Sequence, residues 1–399
     1  MKVALVHDWL TGMRGGEYVL ERFCRMFPGA PIYTLVWNPG SVSREIESHP
    51  IHASFLQRAP GVARHYRWYL PLFPAAIESF HLAGFDAVIS SSHAVAKGIR
   101  VPAETYHFSF VHTPMRYVWE LEEAYFPPGR FPWPLDAFVR GTCARLRRWD
   151  VVASQKPDTL VANSRHVAER IARHYGRTAE VVAVPVDLSR FSPADGPREY
   201  DLVVGAFAPN KRVDLALEAC RRLDRRLIVV GSGQETKRLL PLAGPQTEFL
   251  GWVDNAEVAR LYAGARALLF PGEEDMGIVP IEAMASGCPV VAFGRGGALE
   301  TVGRGAGADA LAEVAGGGVA EAPGGILFGT QTVEGLAQAL ARLEAIRFEP
   351  ARLHAQAAPF AAEAFDARVR SAFDRGHAAW RDRRRSALIH PAGLGAASG

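Results

Sequence analysis

Twice along this chain, short apolar runs alternate with segments of helical periodicity, and the pattern breaks once between the two stretches. In the first stretch, residues 3–7, 32–35, 87–90 and 108–112 read as buried strands. Residues 17–26 set Val19, Leu20 and Phe23 on one helical face. Residues 150–157 lead into a further strand at 159–162, and Asn163-Ser164 caps a helix through Arg173. The stretch 184–193 then brings two prolines and no periodicity. Alternation restarts after it: strands at 202–205, 227–230 and 267–270, helices at 213–223 and 257–263. Strands separated by helices need crossover connections, and these build parallel sheets covered on both faces. The reading is an α/β chain of two Rossmann-like domains facing a cleft, residues 1–185 and 194–360, with 186–193 as the linker. Ligands bind at the carboxyl ends of the strands in such an architecture.

Length and composition agree with this division. A chain of 399 residues accommodates two domains of ordinary size, and 48% apolar content supplies their cores. A net charge of +3 argues against nucleic acid as a partner. Cys24, Cys143, Cys220 and Cys288 lie far apart without zinc-ligand spacing, so reduced buried thiols are expected. The opening Met1-Lys-Val-Ala-Leu-Val-His-Asp8 is too short an apolar run for a signal peptide, and no run is long enough to span a membrane. A cytoplasmic location is the expectation. Residues 303–325, rich in Gly and Ala, read as a mobile inserted loop. Residues 332–343 and 360–381 read as helices, and 382–399 as a disordered tail.

The most chemically telling stretch is Phe270-Pro-Gly-Glu-Glu-Asp-Met-Gly-Ile-Val-Pro-Ile-Glu-Ala-Met-Ala-Ser-Gly287. It follows a strand, turns through Pro271-Gly272 and opens a helix near Gly277. Pro280 fits only a first helical turn. The amides of Gly277, Ile278 and Val279 would face an anion, while Glu274 and Glu282 bracket the same helix start. Acids beside an anion hole suit a diphosphate flanked by hydroxyl-rich groups. A βα turn with solvated acids remains the alternative on the residues alone.

Glu274 and Glu282, eight positions apart with Gly277 between and Ala-Met-Ala-Ser-Gly287 following, resemble the signature of the family 4 retaining glycosyltransferases. The resemblance extends along almost the whole chain. It implies the GT-B fold, with the C-terminal helix at 361–381 crossing back to the first domain. It implies transfer of a hexose from a nucleotide sugar, with retention at the anomeric carbon, no cofactor and no metal. No acidic pair or histidine cluster suggests a metal site in the sequence.

The resemblance also assigns residues. Glu274 would hold sugar hydroxyls and Glu282 the ribose. Gly15 and Gly16 in Gly12-Met-Arg-Gly-Gly-Glu17 would face the donor phosphates, with Arg14 and Glu17 as weaker candidates; a tight βα turn is the other reading. His112, at a strand end before Thr113-Pro114, would contact the transferred sugar. His107 reads as packing, and His7 and Asp8 as further cleft residues. Gly205 and Lys211 match a Gly-Arg-x-x-x-x-Lys pattern whose two cations meet the diphosphate, but Ala206 stands where the Arg should be. Arg212 or Arg295 could take its place. Gly231, in Gly231-Ser-Gly233, would lie near the nucleotide base. Gly296 and Gly297 would line the donor cleft.

Within the family, Val6-His-Asp-Trp-Leu-Thr-Gly-Met-Arg-Gly-Gly-Glu17, Ser90-Ser-Ser-His-Ala-Val-Ala-Lys-Gly98, His112-Thr-Pro-Met-Arg-Tyr117 and Glu273-Glu-Asp resemble the O-antigen and exopolysaccharide mannosyltransferase branch. This implies GDP-mannose as donor and a lipid-linked or polysaccharide glycan as acceptor. The stretch Arg64-His-Tyr-Arg-Trp-Tyr-Leu-Pro-Leu-Phe73 reads either as a packed amphipathic helix or as a patch that meets anionic lipid at the inner face of the membrane. Two rival readings are a sugar-nucleotide epimerase of the same fold and a nicotinamide oxidoreductase. The latter rests only on Gly231-x-Gly233, which lacks the third glycine of the dinucleotide fingerprint.

Overall fold

The computed structural model describes residues 1–127, 129 and 132–389. It divides into two compact units, the first comprising 1–163, 167–182 and the chain from Asp366, the second 164–166 and 183–365. The division falls at 182/183 instead of 185, and the second unit ends at 365 instead of 360.

The first unit is built on seven strands: β1 (Val3–His7), β2 (Ile32–Thr34), β3 (Ile51–Ala53), β4 (Ala87–Ser92), β5 (Tyr106–Val111), β6 (Thr159–Ala162) and β7 (Glu180–Val181). Their order is β3-β2-β1-β4-β5-β6-β7, parallel throughout. The chain runs outward from β1 to β3 and then returns to the other side of β1. The junction of β1 and β4 is therefore the topological switch point, where two crossovers part and leave a crevice. Strands β1, β4 and β5 are buried along their whole length, as a sheet covered on both faces requires.

The second unit repeats the plan with β8 (Tyr200–Val204), β9 (Leu227–Val230), β10 (Thr247–Gly251), β11 (Ala265–Phe270), β12 (Val290–Phe293), β13 (Val319–Ala322) and β14 (Gly325–Phe328). The order β10-β9-β8-β11-β12-β14-β13 puts the switch point between β8 and β11. Only β13 runs antiparallel, in a hairpin with β14.

Three expectations are corrected here. Residues 303–325 are not a loop: they hold the Ala308–Ala315 helix and β13. Two of their glycines serve close packing, since a Cβ at Gly325 would lie 2.0 Å from the Val290 carbonyl oxygen and one at Gly324 2.5 Å from Met284 Sδ. Residues 382–389 are helical, within the Ala362–Ile389 helix, while 390–399 lie outside the described residues. A 22-residue helix, Trp133–Ser154, occupies a stretch in which no element was expected.

The Ala362–Ile389 helix packs on the first unit. Val369, Ala372 and Phe373 are buried at helical spacing, and Phe373 meets the rings of Phe27, Tyr106 and Phe108. Gly376 permits the approach, because a Cβ there would fall 2.1 Å from the Tyr106 hydroxyl. Arg22 donates to both carboxylate oxygens of Asp366. Among the described residues, no helix is long and apolar enough to cross a membrane.

Candidate active site

Each unit carries one chemical cluster, and each cluster sits at that unit's switch point.

In the first unit β1 ends at His7, with Asp8 next, and β4 ends in Ser91-Ser92, with His93 next. His7 and Ser91 are register partners, so the sheet itself brings them together. Asp8 is fully buried, and its carboxylate accepts four backbone amides: His93 (2.7 Å) and Ala94 (2.9 Å) on Oδ2, Val95 (2.6 Å) and Ala96 (2.8 Å) on Oδ1. The chain after β4 is thereby folded around one side chain. Burial pushes the Asp8 pKa up, but His93, His7 and the amides outweigh it and hold the carboxyl below its ordinary range. The His93 Nδ1 lies 3.2 Å from Asp8, and its ring stands edge-on to Trp9 at 4.4 Å between centroids. Asp8 thus does structural work in forming the wall of the site.

His112 follows β5. Its amide donates to the Ser92 carbonyl and its own carbonyl accepts from Asn163 Nδ2 at 3.0 Å, so the backbone is pinned on both sides. Its Nε2 lies 2.8 Å from Ser91 Oγ, and His7 Nδ1 lies 3.1 Å from the same hydroxyl. Burial, with His93 and His7 close by, depresses the His112 pKa well below the ordinary value and keeps the ring neutral. His107 bonds Ser90 Oγ at 2.9 Å, buried in the sheet as a packing residue, with its pKa pushed down to about 3 by burial.

Gly15 and Gly16 open the Gly15–Met26 helix beside this cluster. A Cβ on Gly16 would lie 3.2 Å from His7 Cε1 and 3.7 Å from His112 Nε2, so the glycine lets the helix end approach the two histidines. Glu17 is buried. One of its oxygens accepts the Arg14 amide at 3.0 Å, and the other faces His7 Nε2 at 3.6 Å.

In the second unit glycines dominate. Gly205 has φ 147° and Gly231 φ 123°. A Cβ on Gly231 would fall 1.9 Å from the Gly205 carbonyl oxygen, and one on Gly233 2.5 Å from that of Phe207. A Cβ on Gly272 would meet the Asn210 carbonyl oxygen at 2.4 Å. The loops after β8, β9 and β11 therefore touch backbone to backbone. Between them lies a small cavity lined by Gly205, Ala206, Lys211, Phe270 and Gly272. Lys211 Nζ sits 2.5 Å from Glu274 Oε1, with Asn210 Nδ2 donating to the same oxygen at 3.3 Å. Two residues singled out from sequence, on different loops, are thus an ion pair.

Gly277, with φ 85°, caps the Ile278–Ala285 helix, and Pro280 lies in its first turn. The first-turn amides of Ile278 and Val279 have no intrahelical partners, as helix geometry dictates. Glu282, one turn in, accepts the Tyr262 hydroxyl at 3.1 Å. Burial raises its pKa to about 7, against the opposing pull of Tyr262 and Arg190.

Gly296 and Gly297 pack against the loop that carries Glu274. The Gly297 amide is committed to the Glu274 carbonyl at 2.8 Å, and Cβ atoms on Gly296 and Gly297 would strike the backbones of Glu274 and Met276. They hold the Glu274 loop in position by close packing. Arg212 bonds Asp214 and Gln331, and Arg295 stacks on Phe293. Neither stands in the lining of the cavity where Ala206 replaces the expected arginine. Ser91, Asn210 and Tyr262 were not read as site residues. For Ser91 the available signal was three consecutive serines in a buried strand, since buried hydroxyls need partners. No group of His, Cys, Asp and Glu suited to a metal ion occurs among the described residues.

The glycosyl transferases group 1 family matches residues 199–345, the body of the second unit. A D-inositol 3-phosphate glycosyltransferase of Streptomyces bingchenggensis is 34% identical over 35% of this chain and 38% of its own length. A GDP-mannose-dependent alpha-mannosyltransferase of Mycolicibacterium smegmatis is 29% identical over 42% of this chain and 48% of its own. The chain thus spans less than half the length of each of these two relatives. Among solved structures, Anabaena HepE in complex with UDP superposes with a TM-score of 0.66 over 94% of this chain and 100% of its own, at 17% identity. That likeness concerns the fold. Residues 199–345 thus match the glycosyl transferases group 1 family, and the chain's two parallel-sheet units have the GT-B fold.

Proposed function

We propose that the chain transfers a hexose from a nucleoside-diphosphate sugar to a glycan acceptor, with retention at the anomeric carbon and without a metal. The observation that carries this reading is the Lys211–Glu274 pair at the second switch point, inside the group 1 segment. A diphosphate entering there competes with Glu274 for the lysine. The carboxylate so released is free to accept sugar hydroxyls. As the nucleoside diphosphate departs, negative charge grows on its phosphates, and Lys211 with the amides of Ile278 and Val279 stabilises it. Glu282 takes the ribose, and Gly205, Arg212 and Gly231 complete the donor side. His112, with Gly15 and Gly16 beside it, meets the transferred sugar. Retention follows if a leaving-phosphate oxygen deprotonates the acceptor on the same face.

GDP-mannose is the proposed donor, in keeping with the mannosyltransferase-like motifs and with the relative named for that donor. The proposed acceptor is a lipid-linked glycan, which sets the work at the inner face of the cytoplasmic membrane. The first unit has a surface suited to anionic lipid. Trp68 is 77% exposed and stacks on His65, with Arg64, Arg67 and Leu72 exposed beside it. Arg145 of the Trp133–Ser154 helix donates to the Pro71 carbonyl at 3.0 Å, and that helix exposes Trp133 and Phe138. Phe73, expected in the patch, is buried in the core.

The test is release of nucleoside diphosphate from a panel of GDP- and UDP-sugars, with and without crude lipid-linked acceptor, in the presence and absence of EDTA. Acceptor-dependent release from GDP-mannose that EDTA leaves unchanged is expected. Release from no donor would overturn the reading, and isomerisation of a donor without acceptor would replace it with an epimerase.

A further inference from the structure

Among the described residues of the second unit, Trp252 is the most exposed large apolar side chain, at 83%. It is the first residue after β10, so it stands at the carboxyl ends of the strands, on the same side of the sheet as the β8–β11 switch point. We propose that Trp252 is the base platform of the donor site: its indole stacks on the nucleobase and favours a purine over a pyrimidine. The proposal rests on the reading in which Lys211 meets a nucleoside diphosphate, and it adds the residue that selects the nucleoside.

The backbone around Trp252 is shaped and fixed. The Gly231 amide donates to the Gly251 carbonyl at 2.7 Å, so Trp252 follows directly on the contact between the ends of β9 and β10. The register of β10 against β9 slips by one residue between Phe249 and Gly251, and Gly251 has φ 67°. A slipped register and a left-handed glycine turn the chain off the line of the strand, and bulges of this kind re-aim side chains beside sites. Two residues further on, Asp254 caps the Asn255–Gly264 helix, its carboxylate accepting the Glu257 amide at 2.8 Å. The indole therefore projects from a short connection held at both ends. A ligand that stacks on it has little backbone left to order.

Distance and charge agree with a base at this place. β10 lies two strands from β8, and neighbouring strands are about 4.8 Å apart, so Trp252 is roughly 10 Å across the sheet from the loop that carries Lys211. The ribose and inner phosphate of a nucleotide bridge such a gap. Among the described residues, Lys211 is the one charged side chain in the lining of the cavity at the diphosphate end, and it is paired with Glu274. A site with a single cation leaves a larger share of the affinity to the nucleoside. Stacking on an aromatic face accepts every base, but the overlap grows with ring area, so guanine gains more than uracil.

The experiment is calorimetric titration of the full chain with GDP, UDP and inorganic pyrophosphate, for the wild type, Trp252→Ala and Trp252→Phe. Trp252→Ala is expected to raise the Kd for GDP about tenfold and that for UDP about threefold, and to leave pyrophosphate unchanged. Trp252→Phe keeps an aromatic face and should stay within about threefold of the wild type for GDP. Fluorine NMR on chain labelled with fluorotryptophan reads the contact directly. The Trp252 signal, assigned as the one missing from Trp252→Phe, should shift with GDP and stay in place with pyrophosphate. Equal GDP affinity in the wild type and Trp252→Ala, or a Trp252 signal that GDP leaves unmoved, overturns the proposal. So does a loss of pyrophosphate affinity in step with GDP, since Trp252 would then shape the loop without meeting a base. A wild type that binds neither GDP nor UDP brings down the donor reading as well, whereas nucleotide binding that ignores Trp252 brings down this proposal alone.

Discussion

The two switch points solve one topological problem with opposite chemistry. At the junction of β1 and β4, side chains form the site: His7, Asp8, Ser91, His93 and His112 are packed into a polar network with few open valences. At the junction of β8 and β11, backbone forms it. Gly205, Gly231 and Gly272 let three loops meet, and one ion pair supplies the charge. A network of buried side chains fixes direction, because each hydrogen bond constrains the next. A glycine cradle fixes shape and leaves amides for an anion. In the proposed function the first reads hydroxyls and the second holds phosphates.

The comparison can be broken by substitutions that should hurt one unit in stability and the other in turnover. Asp8→Asn has the largest expected effect. It turns one of two acceptor oxygens into a donor that faces two buried amides, and should cost about 3–5 kcal/mol of stability in a denaturant melt. A loss of turnover with unchanged stability would show that Asp8 works on the ligand instead. Glu274→Ala should behave in the opposite way: stability near wild type, with kcat/KM lowered by about 2–4 kcal/mol in transition-state terms. Turnover like the wild type in a folded variant would remove the core of the functional reading.

Gly231→Ala probes the cradle itself. A Cβ 1.9 Å from the Gly205 oxygen, at φ 123°, forces the loops apart. About 2–3 kcal/mol of destabilisation is expected, with donor affinity falling alongside it. Glu282→Gln is smaller and carries a sign. The folded pKa of Glu282 is about 7, above the ordinary 4.5, so ionising it costs stability as pH rises between those values. Gln is neutral throughout. The variant should be about 1–2 kcal/mol more stable than the wild type above neutral pH and level with it near about pH 4, by thermal melts across that range. Equal pH profiles would mean that Glu282 ionises freely.

The smallest effect concerns the surface of the first unit. Arg64→Glu with Arg67→Glu should weaken flotation with anionic vesicles by about 1 kcal/mol per residue at low salt, and not at high salt. Binding equal to the wild type would place the lipid contact elsewhere, with the Trp133–Phe138 face as the next candidate.

The second site was more legible in sequence than the first. Its residues lie within short segments, so Gly205 to Lys211 and Glu274 to Glu282 announce themselves by spacing. The first is assembled from positions as distant as His7, Ser91 and His112. Spacing says nothing about residues that meet only because their strands are neighbours. Even in the second site, the commitment of the Gly297 amide to Glu274 was not visible. Two glycines before a helix read alike whether they face a ligand or another loop.

What the amino-acid order determined alone is local: strand and helix alternation, the proline-marked break near 184–193, the glycine-opened helix after β11 and the thiols that stay apart. Each follows from neighbours within a few residues, where dihedral preference and hydrophobic period decide. Only the tertiary structure decided the pairing of His7 with Ser91, the ion pair of Lys211 with Glu274, and the helical state of residues 308–315 and 382–389. The two pairings depend on which strands and loops lie side by side in the folded sheets. Burial raises the pKa of every buried acid, and its partners then settle protonation. Glu17 and Glu282 are the same residue type, and their surroundings drive their pKa values in opposite directions.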